Sequence, residues 1–390
     1  MKKIFYVFLA AMIFLVSGCQ NDSYYKTLYE KTIKDFGSFN KDKIYKVLIL
    51  NSYSIEHVFT VNEVRGILDS LRSNPNINIE ISYLYMDTKT NFESTYLQEL
   101  HNLLMAKYAD TVFDFIVVTD NEALEFAKLH KDGFFKSQNL IFCGISNFSP
   151  SLIEGLENIS GVIEANNLER TLDIIPKIRP MTENIFVVTD QTITGSMYRK
   201  LLEDYISKQE NGPKIMLLDM GELKMAELLA RICLIPNNDS LIILQNFVDK
   251  DGVIYSVNQA MKLFLECSRV PIFVSSETRL GMGGVGGNVA SGFKQGQIAG
   301  QIGMRLLNGE SLKNIPVVTE DTNIFSFDHN VLKKWNIDEK ILPKDSVITN
   351  KITINSKDFL IFIIAAFAVF LAIYSIIMTL KLRKFRRKSN

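Results

Sequence analysis

Small polar side chains recur directly after short apolar runs along this chain, and their chemistry suits ligand binding. Hydroxyl, amide and carboxylate groups fix a small polar molecule through hydrogen bonds, while aromatic residues such as Tyr53 and Phe247 would supply apolar walls. A helix N-terminus aimed at the same place would favour an anionic group on the ligand. The residues in such positions are Ser52, Tyr53, Asp120, Asn121, Asn147, Asp190, Gln245, Ser276 and Glu277.

Some of these residues could instead have a purely structural role as helix caps. Ser, Thr, Asp and Asn just before a helix cap its free N–H groups without touching any ligand. The residues that precede predicted helices, and so could be caps alone, are Thr119, Asp120, Thr189, Asp190, Thr194 and Asp219.

The elements that would position these side chains are strands alternating with helices. Short β-branched runs alternate with stretches of 10 to 17 residues whose apolar positions are spaced by three and four. This pattern predicts βαβ units and an α/β fold with doubly wound parallel sheets, whose ligands lie outside the carboxyl ends of the strands. The predicted strands are Val47–Leu50, Ile79–Leu84, Phe113–Val118, Leu140–Cys143, Gly161–Ile163, Ile185–Val188, Ile215–Leu218, Leu241–Leu244 and Pro271–Val274. The predicted helices are Val61–Leu71, Phe92–Tyr108, Glu122–Leu129, Leu168–Ile178, Met197–Ile206, Leu223–Ile232 and Val257–Leu265.

Two similar strand ends indicate two lobes. The string VVTDN at 117–121 and the string VVTDQ at 187–191 each precede a predicted helix. We assign lobe 1 to 45–147 with a return segment at about 275–325, and lobe 2 to 148–274. A membrane-proximal segment at 326–357 would follow.

Enzymatic chemistry finds little support in the motifs. Residues 281–286 (GMGGVG) satisfy GxGxxG, but the helix starts only at Gly292 and Glu310 comes too late, so a flexible cleft or hinge loop is the better interpretation. Asp87 and Asp120 could form a carboxylate pair, yet capping or a ligand ammonium explains each more simply. We therefore expect no catalysis, cofactor or metal. The formal net charge is zero, which gives no indication of nucleic-acid binding.

The N-terminus is typical of an exported protein. Lys2 and Lys3 precede an apolar stretch, 4–16, that is too short to span a membrane and resembles a signal-peptide core. The string VSGC at 16–19 resembles a lipoprotein processing box, which would lipidate Cys19; an ordinary export signal is the alternative. A polar tether at 20–44 would follow this signal peptide (1–19). The remaining cysteines, at 143, 233 and 267, sit in apolar surroundings and are expected to be buried free thiols.

The C-terminus predicts a membrane anchor. Residues 358–380 end in a 22-residue stretch without charge, and about 20 apolar residues suffice to cross a bilayer. The basic stub at 381–390 would lie in the cytoplasm and contact anionic lipid. We expect a cell-membrane protein with an extracytoplasmic body.

Several strings resemble the ABC-transporter substrate-binding family with the type I periplasmic-binding fold, and especially its sensor branch in bacterial membrane diguanylate cyclases and histidine kinases. The matching strings, which span about 46–356, are VLILNSYS at 47–54, YMDTKT at 85–90, FDFIVVTDNEALEF at 113–126, LIFCGISN at 140–147, GMGGVGG at 281–287, the helix at 292–310 and the segment at 327–350. The resemblance implies two lobes that close on a small molecule, with cleft positions at Ser52, Tyr53, Asp120, Asn121, Asn147, Asp190, Thr194 and Glu277.

The expected function is that of a membrane-anchored receptor. A small organic ligand, such as an amino acid or a similar solute, would close the lobes and signal through the membrane helix to a separate histidine kinase or diguanylate cyclase. The alternative is the anchored substrate-binding component of an ABC importer, whose partner would be a permease. A third hypothesis is a structural lipoprotein with a vestigial cleft.

Overall fold

Five parallel strands form the first of the sheets in this computed structural model, which describes residues 43–165, 168–244, 248–319, 322–351, 364–365 and 367–379. The strands are Ile44–Asn51 (β1), Asn78–Tyr85 (β2), Phe115–Thr119 (β3), Leu140–Ile145 (β4) and Ile159–Ile163 (β5). They pair in the order β2-β1-β3-β4-β5. The central strands are near-continuous apolar runs, as expected for a parallel sheet that is covered on both faces.

Alternate residues of these strands enter two separate cores. Leu48 and Phe142 point to one face, where helices Ser94–Lys107 (α2) and Asp120–Leu129 (α3) pack. Ile49 and Cys143 point to the other face, which is covered by Val58–Leu71 (α1) and by the later helix Gly292–Leu307 (here α8). The period of two along each strand therefore fixes which helix covers which face.

The second sheet repeats this architecture. Its parallel strands are Asn184–Thr189 (β6), Lys214–Asp219 (β7), Ser240–Ile243 (β8) and Ile272–Val274 (β9), in the order β7-β6-β8-β9. Helices Leu168–Ile178 (α4) and Ile193–Lys208 (α5) cover one face, and Met225–Cys233 (α6) and Val257–Cys267 (α7) cover the other. The predicted α/β fold with two parallel sheets is confirmed.

Three further strands, which the apolar patterning did not predict, form a smaller sheet beside the second one. They are Gly286–Ala290 (β10), Asn323–Asp328 (β11) and Val347–Thr349 (β12), with helix His329–Lys334 (α9) between the last two. The Val285 N–H donates to the Ile272 carbonyl at 2.7 Å, which joins β10 to β9. The segment at 281–286, interpreted as a flexible loop, thus leads directly into a buried strand.

Among the elements that the structure describes between residues 43 and 351, the chain passes between the two halves three times. The first passage follows β5, because β5 pairs with β4 of the first sheet; the predicted boundary at 147/148 lies earlier than this. The second separates β10 from α8, and the third precedes β11. The predicted return segment therefore divides between both halves, and much of the predicted membrane-proximal segment packs in the second half.

The predicted termini lie largely outside the described residues. The signal peptide at 1–19, with Cys19, and the stub at 381–390 lie outside them entirely. Of the tether at 20–44, only residues 43 and 44 are described. Residues 364–365 and 367–379 of the predicted membrane helix are helical. None of the helices within the described ranges meets the length and hydropathy needed to cross a membrane.

Two of the cysteines differ from expectation. Cys143 is buried as predicted, whereas Cys233 and Cys267 are partly exposed at the ends of α6 and α7. The Cys233 and Cys267 thiols contact each other through a side-chain hydrogen bond, which is the main reason that the pKa of Cys267 rises to about 11.

Candidate functional site

A cleft of about 420 Å³ lies between the two halves, at the carboxyl ends of both parallel sheets. Its walls from the first half follow all five strands, β1 to β5, and those from the second half follow β8 and β9 and include the first turns of α5 and the start of α7. The lining residues are Tyr53, Glu56, His57, Val58, Phe59, Lys89, Asp120, Asn121, Gly144, Ser146, Glu164, Thr194, Tyr198, Leu244, Val257, Ser275, Ser276, Thr278, Arg279 and Met282. This is the place that the strand order predicts for a ligand.

Half of the ten sequence-predicted binding residues line this cleft. They are Tyr53, Asp120, Asn121, Thr194 and Ser276. Four others lie outside the lining, namely Ser52, Asn147, Asp190 and Glu277, and Gln245 is outside the described residues. The strand-end rule therefore locates the cleft but does not by itself select the side chains that face it.

Ser52 and Asp190 have structural partners that explain their positions. The buried Ser52 hydroxyl donates to the Thr119 carbonyl at 2.6 Å and accepts from the Ala123 N–H at 2.7 Å, which anchors the start of α3. Asp190 accepts from the Thr192 N–H and hydroxyl at 3.1 and 2.6 Å, and Thr192 in turn caps α5. The capping interpretation, which included Asp190 but not Ser52, thus fits Asp190 through Thr192, whereas hydrogen bonds to the backbone account for Ser52 and Asn147 is exposed.

Asp120 occupies a special place in the cleft wall. It is the first residue of α3 and has a left-handed backbone, with φ of 64°, which is uncommon for a non-glycine residue. Its side chain is 6% exposed, and its Oδ2 has no hydrogen-bond partner among the described residues. Burial, followed by the charges of Glu122 and Glu164, raises the pKa of this carboxyl.

A second carboxyl group lies directly behind Asp120. Glu63 of α1 is fully buried, and its carboxyl lies against that of Asp120 and against the thiol of Cys143. Gly144 makes room for it, because a Cβ on Gly144 would lie 2.3 Å from Glu63 Oε1. Burial, followed by the charge of Asp120, raises the pKa of Glu63 well above its ordinary value.

Two more carboxyl groups complete an acidic wall. Glu164, which follows β5 directly, lines the cleft, and burial together with the charge of Glu277 raises its pKa to about 7. Glu277 accepts from the Asn62 side chain at 3.0 Å and from the Gly292 N–H at the start of α8 at 2.8 Å. Those two donors favour the ionised form of Glu277 and oppose the rise in its pKa that burial causes.

Lys89, Tyr53 and His57 form a cluster in another part of the cleft wall. Lys89 Nζ lies 4.2 Å from the centre of the Tyr53 ring and 2.7 Å from His57 Nε2. Burial, followed by the charge of Lys89, lowers the pKa of His57 to about 4. A neutral His57 can therefore accept from Lys89 through Nε2 while Nδ1 donates to the Thr60 hydroxyl at 3.2 Å.

The second half contributes Arg279 and Tyr198. Arg279 is 3% exposed and lies in a 3-10 turn, Glu277–Arg279. Burial lowers the pKa of its guanidinium, and the charges of Tyr198 and Asp190 partly offset this effect. Burial, followed by the charge of Glu164, raises the pKa of Tyr198 to about 12. Although Asp190 does not line the cleft, its charge thus favours the charged form of Arg279, the one arginine in the lining.

Sequence reasoning missed several ionisable residues of the cleft, among them Lys89, Glu164 and Arg279. Lys89 follows Asp87 and Thr88, Glu164 follows β5, and Arg279 comes two residues after Glu277, so each lies one or a few positions beyond a recognised strand end. Glu164 could have been found by the same rule, since it follows the predicted strand Gly161–Ile163 directly. Lys89 and Arg279 depend on turn geometry that the spacing does not specify.

The arrangement can bind a small molecule that carries charges of both signs. The carboxyl groups of Asp120 and Glu164 face an ammonium or similar cation, while Arg279 and Lys89 can meet an anionic group. Tyr53 and Phe59 supply apolar surface between these charges. Within the described ranges, no cluster of three or more His, Cys, Asp or Glu residues could hold a metal ion.

Comparison with known proteins gives a family match over most of the chain. The family model described as ABC transporter substrate binding protein matches residues 51–346. Among curated proteins, no sequence relative matches this chain.

Solved structures with the same fold share little sequence identity with this chain. A ligand-free, open substrate-binding protein with adhesive properties from Clostridium difficile has a TM-score of 0.59 at 19% identity, and the match covers 78% of this chain and 99% of that one. A domain from Streptococcus pneumoniae in complex with L-Trp has a TM-score of 0.52 at 15% identity and covers 78% of this chain and 100% of its own. A conserved domain protein from Vibrio cholerae has a TM-score of 0.52 at 16% identity, covering 78% and 99%.

Proposed function

We propose that this chain, which belongs to the family of ABC transporter substrate-binding proteins, binds a small zwitterionic solute outside the cell and closes its two halves around it. The observation that carries the proposal is the division of charge across one cleft. Asp120 and Glu164 stand on the first half and Arg279 on the second, so a ligand with an ammonium and a carboxylate would draw the halves together.

An amino acid is the ligand class that best fits this division. The cleft of about 420 Å³ is of the size that small ligands occupy, and Asp120 and Glu164 lie on the wall opposite Arg279, while Lys89 adds a second cation on the first half. The complex of the Streptococcus pneumoniae domain with L-Trp supports the same class by analogy.

Calorimetric titration of the full-length protein in detergent with each standard L-amino acid tests the proposal. We expect at least one to bind, and we expect Asp120→Asn or Arg279→Gln to weaken it by about 10- to 100-fold, since a hydrogen bond to a charged group contributes about 1.5–3 kcal/mol. The matched exposed variants Asp110→Asn and Arg269→Gln should bind as the parent does. Binding that is unchanged in both cleft variants would contradict this site.

We propose further that the chain is a membrane-anchored receptor, with its body outside the membrane and an output partner such as a histidine kinase or diguanylate cyclase. The uncharged stretch at 359–380 and the basic stub after it support an anchor. The packing of β11 and β12 against the core of the second half supports a direct connection from the moving half towards that stretch.

The second candidate is the substrate-binding component of an ABC importer, which the family membership favours. Lipidation at Cys19 would suit either role. Deletion of the gene separates them. Loss of solute uptake, together with a neighbouring permease gene, would indicate import, whereas a changed transcriptional or cyclic-dinucleotide response with uptake intact would indicate sensing.

A further inference from the structure

The acidic wall of the cleft contains more carboxyl groups than its donors can satisfy. Both oxygens of Glu63 and the Oδ2 of Asp120 receive no hydrogen bond of normal geometry from the described residues, although Glu63 is fully buried and Asp120 is 6% exposed. Two facing carboxylates are both acceptors, so they can hydrogen-bond to each other only when one carries a proton. A buried pair of this kind holds a proton at neutral pH.

The buried Glu63 carboxyl lies next to the cleft at Gly144. Gly144 and Asp120 both line the cleft, and a Cβ on Gly144 would lie 2.3 Å from Glu63 Oε1 and 3.0 Å from Asp120 Oδ1. The Glu63 carboxyl therefore occupies the space that a side chain at 144 would fill, directly beside the ligand space. Gly144 is fixed there by its N–H, which donates to Gln295 Oε1 of α8 at 2.9 Å.

The groups that face the cluster determine where the proton resides. Glu63 faces Asp120, the Cys143 thiol and Glu277, while Asp120 also faces Glu122, Glu164 and the ammonium of Lys89. Glu277 receives two hydrogen bonds, lies at the start of α8, and has Arg65 nearby, and these groups oppose the rise in its pKa that burial causes. The shared proton is therefore assigned to Glu63, Asp120 and Glu164.

We propose that Glu63, Asp120 and Glu164 form a proton-sharing subsite for the cationic group of the ligand, and that ligand binding displaces about one proton from it. This rests on the proposed function, in that a small ligand must occupy the cleft. An ammonium beside these groups favours their ionised forms, so the proton leaves to solvent as the ligand enters. Affinity then rises with pH, by about tenfold per pH unit for each proton displaced, until the pH exceeds the pKa of the cluster.

The bound proton can be tested without any ligand. Infrared difference spectra of the full-length protein at pH 7, parent minus Glu63→Gln, should contain the carbonyl stretch of a protonated carboxylic acid. The parent minus Glu310→Gln, an exposed residue paired with Arg305, should lack it. A parent spectrum without a protonated acid would overturn the inference whether or not the cleft binds amino acids. If Glu63→Gln does not fold by circular dichroism, Glu164→Gln replaces it.

Proton release is measured by titrating each standard L-amino acid in phosphate and in Tris at pH 7, two buffers with different ionisation heats. We expect release of about one proton per ligand in the parent and in Glu310→Gln, and clearly less in the Glu63 or Glu164 variant. Binding without proton release would overturn the inference and leave the proposed function standing. If no amino acid binds, the proposed function fails, and methylammonium at pH 6 and 8 is used instead. Equal stabilisation of the parent by methylammonium at both pH values would then overturn the inference.

Discussion

At the scale of single residues, the cleft depends on one glycine. Gly144 has a φ of 73°, and its Cα packs on the Glu63 carboxyl. Replacement by alanine adds both the cost of a left-handed alanine and a close contact with buried groups, so we expect Gly144→Ala to lower the free energy of unfolding by about 2–4 kcal/mol. Urea denaturation measures this.

Gly252 offers a matched control for that variant. Its φ of 77° is nearly the same, but nothing lies within 4 Å of a Cβ placed on it. Gly252→Ala should therefore cost only about 1–2 kcal/mol, the backbone share of the effect. Equal losses in the two variants would show that the contact with Glu63 contributes nothing.

His57 should remain neutral over the physiological pH range. Its pKa of about 4 in the folded protein lies below the ordinary value of 6.5, so the unfolded state binds more protons between these values. The contribution of His57 to stability is therefore present above pH 6.5 and is lost as the pH falls towards 4. Nuclear magnetic resonance titration of the ring should show no protonation between pH 5.5 and 8.

Replacement of Lys89 distinguishes the two causes, burial and charge, that lower the pKa of His57. Lys89→Ala should raise the His57 pKa only part of the way to 6.5, because burial is the larger cause. Lys262→Ala, an exposed substitution on α7, should leave it unchanged. Full recovery to 6.5 in Lys89→Ala would mean that charge, rather than burial, dominates.

At the scale of elements, the sequence predicts those whose apolar pattern is strong. The runs that form β1, β3, β4, β6 and β8 are buried on both faces and were predicted within a few residues. In contrast, β10 reads GGNVA and offers almost no apolar signal. Its place beside β9 is fixed by backbone hydrogen bonds and close glycine packing, which a pattern of side-chain hydropathy does not contain.

The binding site could likewise be predicted only in part from the sequence. Tyr53, Asp120 and Asn121 were predicted because strand ends meet at one edge of a parallel sheet. Whether a strand-end side chain faces the ligand or the backbone depends on the hydrogen bonds that neighbouring elements offer it. The Ser52 hydroxyl, for example, is held by backbone groups at the end of β3 and the start of α3. Such local competition is decided by three-dimensional geometry, so capping and binding could not be separated from the sequence.

The crossing of α1 and α8 is the element contact on which the acidic wall depends. Backbones approach closely there, since a Cβ on Gly296 would lie 2.0 Å from the Glu63 carbonyl oxygen and one on Gly66 would lie 2.1 Å from that of Phe293. We expect Gly296→Ala to lower the free energy of unfolding by about 1–3 kcal/mol, despite the better helix propensity of alanine. It should also move Glu63 and weaken ligand binding.

Denaturation and calorimetry on the same samples measure both effects of Gly296→Ala. Gln301→Ala, an exposed position on the same helix, should change stability by less than about 0.5 kcal/mol and leave binding intact. A Gly296→Ala protein as stable as the parent would show that the two helices can separate at little cost.

At the scale of the whole molecule, closure should follow from charge on opposite walls. The two halves are joined by three passages of the chain and share one cleft, so relative rotation of the halves changes the gap between Glu164 and Arg279 without disrupting either sheet. A ligand can shift such an equilibrium only by the difference of its affinities for the open and closed forms. A bridging zwitterion has such a difference, because only the closed form lets it meet both walls.

We therefore expect a bound amino acid to reduce the radius of gyration of the full-length protein, measured by small-angle X-ray scattering in detergent with the micelle contrast-matched. Arg279→Gln keeps the acidic wall but removes the opposite charge, so at a saturating concentration it should bind without full closure. Arg269→Gln should close as the parent does. Because β12 pairs with β11, β11 with β10, and β10 is hydrogen-bonded to β9 of the second sheet, closure would also move the end of the body that leads into residue 351 and the apolar stretch beyond it. If the radius of gyration of the parent does not change when the ligand binds, then binding does not close the two halves. The proposed signalling through that stretch would then be contradicted.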